Sequence, residues 1–197
     1  MMADDLAGLC SALNIDKAHI VGASMGGAIA QTFAFKYPHL CRSVVIESSF
    51  TKIDIRFALF AKGRYELMKA GVSPQALIEM TLGICFSSTY LNKPGMVETM
   101  ITTGLASPPA ITLIGYKNQL NALTEFDSAA WINQIKVPCL VIGSDQDGIV
   151  LEEHMRNMAK QIPGALYYCF NGFSHLPHVE ETEKFNKLGL AFTSFYN

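Results

Sequence analysis

Apolar side chains recur along this chain at two different intervals. At Leu6, Leu9, Cys10 and Leu13 the spacing is three to four residues, which predicts an amphipathic helix over about 4–14 that ends near Asn14. His19-Ile20-Val21 then reads as a short buried strand stopped by Gly22. From Met25 to Tyr37 the small residues Gly26, Gly27, Ala28 and Ala30 precede Phe33 and Phe35, a helix whose first turn can approach another backbone closely and which Pro38 ends. Ser43 to Ile46 is a second β-branched run. Two further runs follow: Cys139 to Ile142, between Pro138 and Gly143, and Leu166 to Phe170, after Pro163-Gly164. Helical patterns occupy 152–162 and 180–195.

Strands alternating with helices predict an α/β fold with a mainly parallel sheet covered on both faces. The stretch 52–135 breaks that rhythm. It carries helical patterns at roughly 55–70, 74–85, 94–106 and 109–123, punctuated by Gly71, Pro74, Pro94-Gly95 and Pro108-Pro109. The expected organisation is therefore a core of 1–51 and 136–197, with 52–135 as a helical cap or lid over the strand ends. Most of its large apolar residues (Phe57, Phe60, Met68, Met80, Phe86) belong to a core, and some should face a cavity beneath.

Composition narrows the function classes. Half of the 197 residues are apolar, a tenth aromatic and only 16% charged, which excludes disorder. A chain of this length buries roughly 70% of its unfolded surface, enough for one domain. Seventeen acidic against fifteen basic residues leave a net charge of −2, with no basic field for nucleic acid or anionic lipid. No apolar run approaches the roughly 20 residues of a membrane span. The start, Met1-Met2-Ala3-Asp4-Asp5, is acidic where a secretory signal would be basic. Five widely spaced cysteines without a C-x-x-C pair suggest reduced thiols and a cytoplasmic location. No His or Cys cluster has metal-ligand spacing, so neither metal nor other cofactor is expected.

Gly22-Ala23-Ser24-Met25-Gly26 matches G-x-S-x-G, a pattern that a chain of this length contains by chance roughly 6% of the time. Its context adds weight, because a strand runs into it and a helix out of it, as a nucleophile elbow requires. The elbow lifts one hydroxyl above the sheet edge, and Gly22 and Gly26 remove side chains that would collide there. The helix N-terminus behind it, with the Met25 backbone N–H, favours a developing oxyanion. The plainer alternative is a Gly-rich turn with Ser24 as a helix N-cap.

A serine nucleophile needs a base, and the base needs an acceptor to orient it. Of five histidines, His19 lies in a strand, His39 in a surface loop and His154 on a charged helix. His175 follows the last strand, at the C-terminal sheet edge where ligands gather in open α/β sheets, and His178 is second to it. Asp145 and Asp147 both follow the 139–142 strand, and Glu47 follows the second strand, so three carboxylates compete as partner. The order Ser24…Asp147…His175 is that of α/β hydrolases.

The sequence resembles the α/β-hydrolase superfamily, and within it the small esterases and lactonases related to 3-oxoadipate enol-lactonase. The resembling segments are 5–50, with HIVGASMGGAIAQTFAFKYP, then CFSSTYL (85–91), IKVPCLVIGSDQDGIV (135–150) and GFSHLPHVEETEKFN (172–186). The resemblance implies Ser24 as nucleophile, His175 as base, and an acid that precedes a short apolar pair, which Asp147-Gly148-Ile149-Val150 fits better than Asp145. It implies hydrolysis of a small apolar ester or lactone through an acyl-enzyme. It also implies four further strands and a second oxyanion-donor loop ahead of position 4, which this sequence does not contain. Loss of one such donor lowers rates by about 10²–10³. A competing reading is a non-catalytic ligand-binding or interaction protein of the same fold. The strand at 19–21 then becomes a sheet edge with apolar faces, which predicts a homodimer through that edge.

Overall fold

The computed structural model describes residues 1–107 and 111–196. The expected break at Pro108-Pro109, and the start of the helix expected over 109–123, lie outside them. In chain order the elements are α1 (Met2–Ala12), β1 (Ala18–Ala23), α2 (Met25–Lys36), β2 (Cys41–Glu47), α3 (Ile55–Lys69), α4 (Pro74–Cys85), α5 (Ser88–Leu91), α6 (Met96–Ala106), α7 (Leu113–Glu125), β3 (Cys139–Ser144), α8 (Glu152–Gln161), β4 (Leu166–Phe170), α9 (Pro177–Glu180) and α10 (Thr182–Ser194). A 3-10 turn at Ile132–Gln134 precedes β3.

Among the described residues the four strands form one parallel sheet in the order β1-β2-β3-β4, the architecture expected for an α/β fold. The alternation of the pleat separates its two faces. Val44, Ile46, Cys139 and Val141 point into the larger core, with Phe33 of α2 and Met155 and Met158 of α8. Val45, Leu140, Ile142 and Phe170 point the other way, onto Phe185 and Phe192 of α10. The central strands, with Val44 to Ile46 and Cys139 to Ile142 buried on both faces, therefore read as continuous apolar runs rather than alternating ones.

Helices α3 to α7 lie between β2 and β3 in sequence. Side-chain caps set the starts of four of them: Asp54 accepts from Phe57 N at α3, Ser73 from Ala76 N at α4, Ser87 from Tyr90 N at α5 and Thr112 from Gly115 N at α7, while α6 follows Gly95, which has no side-chain cap. Phe57, Ala61, Leu82, Cys85 and Phe86 of this block join the larger core. The block leaves and re-enters at one neck, where Ser128 N donates to Thr51 O at 2.8 Å and Lys52 pairs with Asp127 at 2.9 Å.

Candidate active site

Because parallel strands end together, the segments that follow β1, β2, β3 and β4 share one rim of the sheet. Ser24 leaves β1 with φ 52° and ψ −119°, a positive φ that a side-chain-bearing residue adopts only under constraint. Its amide donates to Glu47 O at 2.9 Å, and its carbonyl accepts from Gly27 N at 2.9 Å and from Ser49 Oγ at 2.8 Å. Ser24 occupies the N-cap position of α2, but its side chain makes no capping hydrogen bond there.

The glycines act differently from one another. A Cβ on Gly22 would sit 2.2 Å from Gly26 O, and one on Gly27 would sit 2.5 Å from Ser49 Cβ. A Cβ on Gly26 would meet nothing within 4 Å. The steric requirement expected at Gly22 and Gly26 thus falls on Gly22 and Gly27, with Gly26 contributing its carbonyl to the close approach.

His175 and Asp147 are brought together. His175 Nδ1 lies 2.8 Å from Asp147 Oδ2, and both residues are buried. Asp147 Oδ1 accepts from Ile149 N and Val150 N, each at 2.8 Å, which fixes the carboxylate and leaves Oδ2 for the imidazole. Asp145 is exposed, and its Oδ1 accepts from Gly172 N at 2.7 Å, serving the turn that follows β4. The two aspartates left open by the sequence therefore have distinct partners.

Glu47 holds the other histidine. Its Oε1 lies 2.8 Å from His178 Nδ1 and accepts from His178 N at 3.2 Å. This hydrogen bond to a carboxylate 1% exposed raises the His178 pKa above its ordinary value against the opposing effect of burial. The contact also shows the path of the loop. The segment after β4 crosses the rim to the end of β2, where the Glu47 carbonyl receives the Ser24 amide. Ser24 is joined to the His175 loop through Glu47 and His178; among the described residues its hydroxyl forms no hydrogen bond to the imidazole.

The remaining histidines lie elsewhere. His19 Nδ1 is 2.7 Å from Ser43 Oγ on neighbouring strands, His39 is exposed, and His154 sits 4.0 Å from Glu153 on α8. Cys85 lies near Asp147, and burial, reinforced by that carboxylate, pushes its thiol up to about 12, far from a reactive thiolate. Sequence reasoning missed Glu180, a carboxylate 5% exposed that accepts from Ser87 N, Ser87 Oγ and Ser174 N. Nothing in its spacing separates it from Glu181 beside it; only its partner 93 positions away does.

An apolar cavity of about 230 Å³ opens beside the elbow, lined by Met25, Ile29, Thr32, Phe50, Leu123 and Phe126 among others. It touches the Met25 end of the elbow and not Asp147 or His175. Among the described residues no group of three or more His, Cys, Asp or Glu could hold a metal ion, and no helix is long and apolar enough to cross a membrane.

The chain is 30% identical over 178 residues to pyrrolizixenacetamide deacetylase of Xenorhabdus hominickii, covering 88% of this chain but only 64% of that protein. The solved structure of Rv0554 from Mycobacterium tuberculosis matches at a TM-score of 0.87 and 29% identity, over 99% of this chain and 72% of that one. A thermophilic esterase from Thermogutta terrifontis matches at a TM-score of 0.81 and 25% identity, over 99% and 72%. The family model for the alpha/beta hydrolase fold matches residues 1–182, and the chain belongs to that family.

Proposed function

We propose that this chain acts as a serine hydrolase on carboxylic esters or lactones, with Ser24, His175 and Asp147 as its catalytic residues. Ser24 Oγ bonds to the substrate carbonyl carbon as its proton passes to His175 Nε2. The negative charge moves onto the carbonyl oxygen, which accepts a hydrogen bond from the Met25 backbone N–H. The carbon–oxygen bond to the leaving group breaks, and His175 gives that oxygen its proton. Water, deprotonated in turn by His175, attacks the acyl-enzyme and releases the acid and Ser24. Asp147 orients the ring: with Nδ1 given to Oδ2, Nε2 carries the lone pair that takes the serine proton.

The observation that carries this reading is the buried His175–Asp147 pair at 2.8 Å on the rim where Ser24 is held at positive φ. The similarity to an esterase and to a deacetylase supports it. The cavity beside Met25, together with the helices of 52–135 as a cap, suits an apolar acyl or alcohol group. We propose also that two copies associate through the β1 edge.

The test uses a fluorophosphonate probe and p-nitrophenyl butyrate. The expected result is a single adduct at Ser24 by peptide mass mapping, with Ser24→Ala removing both labelling and turnover. Turnover that survives Ser24→Ala unchanged would refute the assignment. Ligand-induced thermal stabilisation without any labelling would instead favour a non-catalytic binding protein.

A further inference from the structure

Glu180 is a carboxylate in a costly place. Burying an ionised carboxylate is unfavourable unless its oxygens are satisfied, and here the donors converge from two segments. Ser174 N donates to Oε1 at 2.9 Å, Ser87 N to Oε2 at 3.2 Å, and Ser87 Oγ also to Oε2. Ser174 directly precedes His175. Ser87 is the N-cap of α5 and ends the turn that follows α4.

The segment Ile84 to Ser87, the last two residues of α4 and the two that follow it, touches both loops of the His–Asp pair. His175 N donates to Cys85 O at 3.1 Å. Ser174 Oγ lies 3.1 Å from Gln146 O and 3.4 Å from Ile84 O, so its one proton is shared between the Asp147 loop and the end of α4. A Cβ on Gly148 would sit 2.9 Å from Ile84 O, so the Asp147 loop lies flat against the same carbonyl. None of Ile84 to Ser87, Ser174 and Glu180 lines the cavity beside Met25. Its contacts fix where the backbone on either side of His175 can lie.

We infer that Glu180 is a positioning residue which clamps the His175 loop to the Ile84–Ser87 segment at the end of α4 and thereby holds the imidazole against Asp147. The inference rests on the reading of Ser24, His175 and Asp147 as the catalytic set. It assigns the helical insertion a second task, since one of its turns supplies the anchor. Removing the carboxylate frees three buried donors and lets the loop drift, and a displacement of about 1 Å at a catalytic group lowers rates by about 10²-fold. Glu180→Gln keeps an acceptor for Ser174 N and changes less.

The experiment compares full-length wild type with Glu180→Ala, Glu180→Gln and Ser87→Ala. The readouts are p-nitrophenyl butyrate kinetics, far-ultraviolet circular dichroism and the downfield proton resonance of the His175 Nδ1–H, assigned by its loss in His175→Gln. In Glu180→Ala the expected result is a fall in kcat of about 100-fold with KM within twofold, and exchange broadening of the resonance in a folded protein. Glu180→Gln should restore most of both. If Glu180→Ala does not fold, Ser87→Ala decides, with a smaller fall in kcat and the same broadening. A resonance absent from wild type, or untouched in the folded variants, overturns the clamp. The resonance reports on positioning whether or not esters turn over, so failure of the hydrolase reading shows separately, as turnover indifferent to Ser24→Ala.

Discussion

The two histidines of the last loop sit three residues apart and meet two different carboxylates. His175 lies on buried Asp147, whereas the His178 side chain is 36% exposed and is held by buried Glu47. Glu47 raises the His178 pKa, so protonated His178 is favoured more in the folded state than in the unfolded chain, where the ordinary value is about 6.5. The stability from this pair is fully present below about pH 6.5 and is lost as pH rises through the raised folded value. The advantage of wild type over His178→Gln in urea unfolding should therefore be greatest at pH 6, about 0.5–1 kcal/mol after solvent screening, and should shrink by pH 9. An advantage constant across that range would assign the contact to packing alone. The same comparison bears on how the residues read in sequence. Ser24 stood out because glycine and serine fall in a fixed local pattern at a strand–helix junction. Glu47, Asp145 and Asp147 could not be ranked by residues alone, because each carboxylate's role depends on which backbone amides the folded loops turn toward it.

Elements were legible where a period could repeat. The strands extended one to two residues beyond the apolar runs at several ends, since β1 runs to Ala23 and β3 to Ser144, and pairing rather than hydropathy sets those limits. The four-residue helices α5 and α9 escaped notice because neither completes two turns. The pattern at 180–195 joined the end of α9 to α10, although the backbone breaks at Glu181 with φ −139°. The neck of the block α3 to α7 was equally invisible, because its contacts join residues far apart in sequence. There Gln31, fully buried on α2, donates to Phe50 O at 3.0 Å and accepts from Ser128 Oγ at 2.7 Å, while Ser49 Oγ beside it supports the Ser24 carbonyl. Gln31→Leu conserves bulk but strands the Phe50 carbonyl and weakens the tie to Ser128. It should lower unfolding stability by about 1–3 kcal/mol in urea titration. A change below about 0.5 kcal/mol would show that the neck does not depend on this network.

On the scale of the whole molecule, the two faces of the sheet are unequally covered. The face bearing Val44 and Ile46 lies under α2 and α8, whereas the opposite face has α10, whose Phe185 and Phe192 shield Val45, Leu140, Ile142 and Phe170. That cover stops short of β1. Val21 is 58% exposed at the sheet edge, and Leu190 of α10 is 67% exposed beside the groove that runs between them. Among the described strands β1 pairs with β2 alone, and a sheet-edge strand bearing an uncovered apolar residue is a template for another strand. A second copy related by a twofold axis would pair β1 with β1 in antiparallel fashion, each Val21 entering the same groove of its mate. Lysine is the residue natural edges use against such pairing, so Val21→Lys should convert a wild-type dimer to a monomer in sedimentation velocity at micromolar concentration. Its Tm at low concentration should stay within a few degrees of wild type, because the substituted side chain already faces solvent. A wild-type monomer under those conditions would remove the dimer, and a dimer indifferent to Val21→Lys would move its interface away from this edge.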